Sequence, residues 1–93
     1  MRTDLGELAA FVAVAEAGGF RDGARTSGLS ASGLSEAVRR LETRLGVRLL
    51  NRTTRSVVPT EAGLRLLERL KPALGEVAAA VDVVNGFRDR PAG

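Results

Sequence analysis

"LSASGLSEAVRRLETRLG", residues 29–46, is the stretch that decides the fold. Its apolar residues recur at spacings of three and four, which places them on one side of a helix and predicts that this side packs in a core. Ser30 precedes the pattern as an N-cap, and Gly46 follows it as a stop. The opposite face begins with small serines, so another surface can approach it closely. Serines that merely contact solvent would give the same sequence pattern. The apolar residues are Leu34, Ala37, Val38, Leu41 and Leu45.

Composition restricts the class of protein. Ninety-three residues make one small domain, near the lower limit for a core without a disulfide, metal or partner. The chain has no cysteine and no histidine, which removes disulfides, thiolate nucleophiles, thiol zinc sites and the usual general base. We find no nucleophile–base pair, metal cluster or phosphate-binding glycine loop, so we expect no enzyme, cofactor or metal. Without a membrane-spanning apolar run or a secretory pattern, we expect a cytoplasmic protein and no membrane partner.

The net charge of +3 is unevenly distributed along the chain. Residues 21–71 carry eleven basic against five acidic side chains, whereas both flanking segments are slightly acidic. A basic segment of this kind favours a phosphate-bearing partner. Three phenylalanines, with no tryptophan or tyrosine, are too few to stack the bases of a single strand, so duplex nucleic acid is favoured.

Two further helices are predicted before residue 29. Asp4 can cap the first, with Glu7 three residues later as in a capping box, and Gly18 and Gly19 end it. The short, weakly apolar segment 21–28 predicts a marginal second helix that ends at Gly28. The apolar face of the first helix comprises Leu5, Leu8, Phe11, Val12 and Ala15.

A small β-hairpin is predicted after Gly46. Val47, Leu49 and Leu50 precede a polar Arg/Thr tip, and Val57 and Val58 follow it, although the tip lacks an Asn-Gly or Asp-Gly turn. The chain then contains three helices, with a tight turn between the second and third, followed by a basic hairpin. That order is typical of a winged helix-turn-helix, in which the third helix enters the major groove.

A long fourth helix is predicted to begin at the cap Thr60 and run to residue 87. Its apolar residues alternate three and four apart in a heptad pattern, which we call the seam and interpret as a dimer interface, because three short helices cannot cover so long a stripe. Pro72 interrupts the helix, so we expect a kink near Glu68 or a frayed second half. The seam residues are Leu67, Leu70, Leu74, Val77, Val81 and Val84.

The sequence resembles the DNA-binding domain of LysR-type transcriptional regulators from about Leu5 to Gly93. The resemblance rests on "LAAFVAVAEAGGF", "LSASGLSEAVRRLETRLGVRLLNR" and "TEAG" at 60–63. It implies a mainly α fold: a winged helix-turn-helix domain over 1–59, a linker helix over 60–87, and a tail over 88–93 that leads to an effector domain outside this chain. It also implies a homodimer through helix 4, and it allows a tetramer in a full-length protein. Any small-molecule inducer would be bound by the effector domain.

The resemblance further implies a double-stranded DNA partner and a set of contact residues. Helix 3 would read base edges, while the hairpin would approach phosphate or the minor groove. Ala31 and Glu36 depart from the residues common in the family and offer few base-edge hydrogen bonds, so we expect weak binding with little sequence preference. Arg21 stands where a helix-capping Ser or Thr is usual, so helix 2 should be less stable than in relatives. The DNA-contacting candidates are Arg21, Ser30, Ala31, Ser32, Ser35, Glu36, Arg39, Arg40, Arg52, Thr53, Thr54 and Arg55.

Each candidate also has an interpretation that involves no contact with DNA. Arg39 and Arg40 are as well explained by solvation of the helix as by phosphate contact, and Glu36 is better explained as a solvated or internally paired side chain. Arg52 and Arg55 are better explained by contact with DNA than by solvation. The rival function is a helical dimerisation or protein-interaction module without DNA binding, for which the seam is the main support.

Overall fold

A computed structural model of the chain describes residues 4–53 and 56–88. Within these residues the helices and the hairpin follow one another in the predicted order, which confirms a mainly α winged helix-turn-helix with a long final helix. The elements are α1 Leu5–Ala17, α2 Phe20–Ser27, α3 Ala31–Leu45, β1 Leu50–Arg52, β2 Val57–Pro59 and α4 Glu61–Arg88.

The turn between α2 and α3 depends on glycine and serine. Gly28 ends α2 at φ 78°, a left-handed conformation that costs little without a Cβ atom. The Ser30 Oγ then accepts a hydrogen bond from the Gly33 N–H (3.0 Å) and caps α3. Three residues therefore suffice to reverse the chain, and both ends of α3 lie where the sequence predicts.

The core forms where α1, α3, the hairpin and α4 meet. Four of the five predicted apolar residues of α3 are buried, and Leu45 is partly buried. The buried apolar side chains are Leu8, Ala10, Phe11, Val14, Leu34, Ala37, Val38, Leu41, Leu49, Leu50, Val57 and Leu70.

The buried face of α1 differs from the predicted face. Leu5 is 56% exposed, whereas Val14 is fully buried. At 3.6 residues per turn, Glu7, Phe11 and Val14 lie on one side, and Leu5 lies almost opposite them. The capping box is also wrong in part. The Asp4 Oδ1 accepts hydrogen bonds from the N–H groups of Gly6 (2.9 Å) and Glu7 (3.2 Å), but the Glu7 carboxylate turns toward α3.

Helix α4 runs unbroken for 28 residues, so of the two alternatives expected at Pro72 the frayed second half is wrong, and the kink near Glu68 stays a prediction. Thr60 caps it as predicted, because its Oγ1 accepts from the Gly63 N–H (3.0 Å). Pro72 and Glu68 are both exposed. Water can therefore bond the Glu68 carbonyl that Pro72 leaves without an N–H donor, which reduces the cost of proline in the helix.

Candidate nucleic-acid interface

The first two turns of α3 present small polar side chains. Ser32 is exposed, and its Oγ lies 3.4 Å from that of the capping Ser30. Ala31 and Ser35 are half-buried, and the exposed Glu36 pairs with Arg39 (3.6 Å) one turn later. Small side chains leave the helix backbone accessible, and the N-terminal N–H groups and helix dipole favour an approaching anion.

The antiparallel hairpin lies beside this part of α3. Its register pairs Leu50 with Pro59 and Arg52 with Val57. Past the strands, the Thr53 N–H donates to the Ser56 carbonyl oxygen (2.9 Å), and the Ser56 N–H donates to the Thr53 Oγ1 (3.0 Å). The remaining hairpin candidates, Thr54 and Arg55, lie outside the described residues.

A carboxylate on α3 holds the start of the hairpin. The Glu42 Oε2 accepts hydrogen bonds from the backbone N–H groups of Leu49 (2.8 Å) and Leu50 (3.1 Å). Charge-assisted bonds of this kind are stronger than neutral ones, and the site is mostly shielded from water. In the Leu41-Glu42 pair, Leu41 therefore packs in the core, while Glu42 fixes the position of the hairpin, which is the wing of the fold.

Arg52 lies against α2 and α3. Its Nη1 donates to the Ser35 Oγ (3.1 Å), and its Nη2 lies 3.7 Å from the Glu42 Oε1. The guanidinium carbon stands 4.7 Å from the centroid of the Phe20 ring, within range of a cation–π interaction. The structure therefore joins Arg52 to one predicted contact residue, the half-buried Ser35.

Arg40 is bound by the carboxylate of Glu7, for which the sequence predicts a place in the capping box of α1. Glu7 is 5% exposed at its side chain, and its Oε2 accepts from the Arg40 Nε (3.3 Å) and the Arg44 Nη2 (3.4 Å). Its Oε1 also accepts from the Arg44 Nη1. A buried carboxylate is stable only when paired in this way. The spacing of Glu7 from Phe11 and Val14, which puts it on the core face, was the available signal.

Two predicted cations lie on exposed surface. Arg39 is exposed on α3 apart from its contact with Glu36. Arg21 is exposed at the start of α2 and lines a shallow cleft of about 380 Å³ whose other wall includes Thr53 and Ser56 of the hairpin. The helix and hairpin candidates thus occupy neighbouring surface.

Gly63 of the "TEAG" segment fixes the start of α4 against the hairpin. A Cβ atom at this position would lie 2.1 Å from the Leu49 carbonyl oxygen. The same carbonyl accepts from the Thr60 N–H (2.9 Å), and the Thr60 Oγ1 donates to the Arg48 carbonyl (2.8 Å). In the sequence this segment serves only as a signature of the family. The structure explains its glycine, because the start of α4 lies in close contact with the Leu49 backbone.

The predicted dimer seam divides into two parts. Leu67, Leu70 and Leu74 pack against the core of their own chain: Leu70 is buried, and the other two are partly buried. Their place at a dimer interface stays a prediction. The seam was assigned to a partner because three short helices were not expected to cover so long a stripe. In the structure α1 reaches it, and the Lys71 Nζ lies 2.8 Å from the Glu16 Oε2. After Leu74, by contrast, Val77, Val81 and Val84 are exposed.

Comparison with known proteins identifies relatives over the whole chain. A family model described as "Bacterial regulatory helix-turn-helix protein, lysR family" matches residues 5–64. The HTH-type transcriptional regulator PgrR of Escherichia coli K12 is 48% identical over 92 residues, which cover 99% of this chain and 31% of PgrR. The chain thus spans about a third of the length of the curated relatives that it matches.

Solved structures share the fold. A mutant of Corynebacterium glutamicum OxyR superposes with a TM-score of 0.90 at 35% identity, covering 100% of this chain and 29% of OxyR. A DNA complex of the DNA-binding domain of CbnR superposes with a TM-score of 0.79 at 30% identity, covering 92% of this chain and 99% of that domain. With the family model matching well over half of the residues, this chain belongs to the LysR family of bacterial regulatory helix-turn-helix proteins.

Proposed function

We propose that this chain binds double-stranded DNA as the DNA-binding part of a LysR-type transcriptional regulator. The hydrogen bond from Arg52 to Ser35 carries the proposal, because it places the hairpin beside the serine-led start of α3. A helix and a wing on the same side of a domain match the two contact elements of a winged helix-turn-helix. The CbnR domain, which shares this fold, was solved in complex with DNA.

The contact residues have different roles in this proposal. The first turns of α3 meet base edges in the major groove through Ala31, Ser32, Ser35 and Glu36, while Ser30 and nearby backbone N–H groups approach phosphate. Phosphate or the minor groove is also contacted by Arg21, Arg39, Thr53, Thr54 and Arg55. Arg40 contributes less than these, because its guanidinium is already bound to Glu7.

The test measures binding of fluorescently labelled duplex DNA by anisotropy at several salt concentrations. We expect the logarithm of the association constant to fall linearly with the logarithm of salt, because phosphate contacts release counterions. Arg39→Gln should weaken all duplexes alike. Arg65→Gln on α4 is the matched control, since Arg65 also pairs with a glutamate of its own helix, Glu61, on exposed surface. Binding that stays constant from low to moderate salt would contradict the proposal.

We also propose that the regulator is a homodimer through the second half of α4. Val77, Val81 and Val84 form an exposed apolar stripe, and such stripes mark interaction surfaces. A two-fold dimer would place two α3 helices on one face of the DNA, so the operator should be an imperfect palindrome with half-sites one or more ~10.5 bp turns apart. The rival hypothesis, an interaction module without DNA binding, rests mainly on the seam. It is less well supported because the first half of the seam packs against the core of its own chain.

The proposed binding to DNA also bears on where the protein acts and on its other partners. Within residues 4–53 and 56–88, no helix is both long and apolar enough to cross a membrane. A regulator that acts on bacterial DNA works in the cytoplasm and needs no catalytic activity of its own. We propose a tetramer and a small-molecule inducer only for a full-length regulator, not for these 93 residues.

A further inference from the structure

The guanidinium of Arg52 is held by three groups from two other elements. Its side chain is only 25% exposed. Nη1 donates to the Ser35 Oγ at 3.1 Å, Nη2 lies 3.7 Å from the Glu42 carboxylate, and the guanidinium carbon stands 4.7 Å from the Phe20 ring centroid. Ser35 and Glu42 are seven residues apart, so they lie on the same face of α3, two turns from each other. The last residue of β1 is therefore fixed along α3 and against the start of α2.

This arrangement is poorly suited to a phosphate contact. An arginine that binds phosphate presents its fork of N–H groups to the incoming anion. Here the fork already faces Ser35 and the Glu42 carboxylate, which also neutralises its charge. To reach DNA, the side chain would have to leave a carboxylate that is only 14% exposed. Breaking a mostly buried charged pair in this way is costly.

The same arrangement orients the hydroxyl of Ser35. A guanidinium can only donate hydrogen bonds, so the Ser35 Oγ must act as the acceptor in their contact. One lone pair is thereby occupied, and the hydroxyl proton points elsewhere, where it can be donated to an acceptor on a base edge. Ser35 lies on the second turn of α3, among the residues proposed to read bases.

We propose that Arg52 is a positioning residue for DNA recognition: it orients the Ser35 hydroxyl and joins the wing to α3, and it does not clamp phosphate. The inference rests on the proposed duplex binding and assigns the base preference of this interface to the Arg52–Ser35 pair. Removing either partner should therefore have the same effect on preference.

The test is a double-mutant cycle on two duplexes. Selection from randomised DNA with the unmodified chain supplies a preferred duplex, and a scrambled version of the same composition is the reference. We expect Arg52→Met and Ser35→Ala each to reduce the ratio of the two affinities about fivefold, the lower end for a base contact. The double variant should lose no more than either single variant, because the two residues act as one unit. The slope of affinity against salt should stay unchanged in Arg52→Met.

A phosphate clamp would give a different pattern. Arg52→Met would then weaken both duplexes equally, lower the salt slope by about 0.9, and add its effect to that of Ser35→Ala. That pattern, or a preference that Ser35→Ala leaves intact, overturns the inference while duplex binding stands. If the unmodified chain binds no duplex at any salt concentration, the proposed function fails and the inference fails with it.

Conservative replacement separates positioning from a general effect on folding. In Arg52→Lys the ammonium can still donate to the Ser35 Oγ, so this variant should keep most of the preference that Arg52→Met loses. Circular dichroism melting shows at which temperature each variant is folded, and binding is compared below it. If Arg52→Met does not fold, Arg52→Lys and Ser35→Ala decide the question. A lysine variant without preference, but folded, overturns the inference.

Discussion

The two halves of α4 carry the same spacing of apolar residues in different surroundings. In the first half, Leu70 is 8% exposed and packs in the core with α1 and the hairpin. In the second half, Val81 is 54% exposed, although it lies on the same seam. From residue 75 to residue 88, every residue except Asn85 is exposed. A heptad pattern therefore shows that one face of a helix is to be covered, but it does not show whether the same chain or another one covers it.

The largest difference between the two halves is expected in stability. Leu70→Ala should lower the free energy of unfolding by about 3 kcal/mol, because it removes buried methyl groups and leaves a cavity. Val81→Ala should lower it by less than about 0.5 kcal/mol, as an exposed site has no cavity to form. Urea denaturation at low protein concentration measures both values. Equal losses would break the distinction between a core half and an exposed half.

A smaller loss of stability is expected at the first of two glycines of α4. Gly63→Ala should destabilise by about 2 kcal/mol, since the new methyl group would meet the Leu49 carbonyl oxygen and force the backbone apart. Gly75→Ala is the matched control in the second half. Among the residues that the structure describes, nothing outside the helix's own backbone lies within 4 Å of its Cβ position, so the substitution should stabilise by up to about 1 kcal/mol through helix propensity. The same urea titrations decide the point, and a stabilising Gly63→Ala would contradict the close packing.

The last expected effect concerns association rather than stability. Val81→Arg should raise the dissociation constant of the dimer about 30-fold, or about 2 kcal/mol, because it places a charge in an apolar interface. It should leave the stability of the separate chain unchanged. Ala79→Arg adds the same charge on the opposite side of α4 and is the control for net charge. Analytical ultracentrifugation checks the result: a parent that stays monomeric at high concentration, or a Val81→Arg variant as dimeric as the parent, excludes this surface as the interface.

The predictable parts of the molecule are those specified by neighbouring residues. The cap at Ser30, the stop at Gly46 and the apolar stripe between them predicted α3 to the residue. Each signal acts within a few positions, through a hydrogen bond or a repeat of 3.6 residues, so the sequence alone displays it. The hairpin was predicted for a similar reason, because Leu50 and Val57 flank a polar tip.

The features that local sequence does not predict depend on residues far apart in the chain. Glu7 has a local explanation as a cap, yet its carboxylate binds Arg40 and Arg44, more than thirty positions away. Arg52 has a local explanation as a basic residue of the wing, but its partners are on α2 and α3. A charged side chain has the same sequence signature whether it contacts solvent, DNA or another side chain. Only the packing of the helices selects among them.

The sequence by itself determined the order of the helices, their ends, the hairpin and the family, because these depend on local periodicity, capping and a run of shared motifs. The tertiary structure alone decided which half of α4 belongs to the core, that Gly63 must lack a side chain, and that Arg52 faces Ser35 and Glu42. The physical reason is that burial and long-range pairing are properties of two surfaces brought together. The free energy of each contact depends on a partner that local sequence does not name.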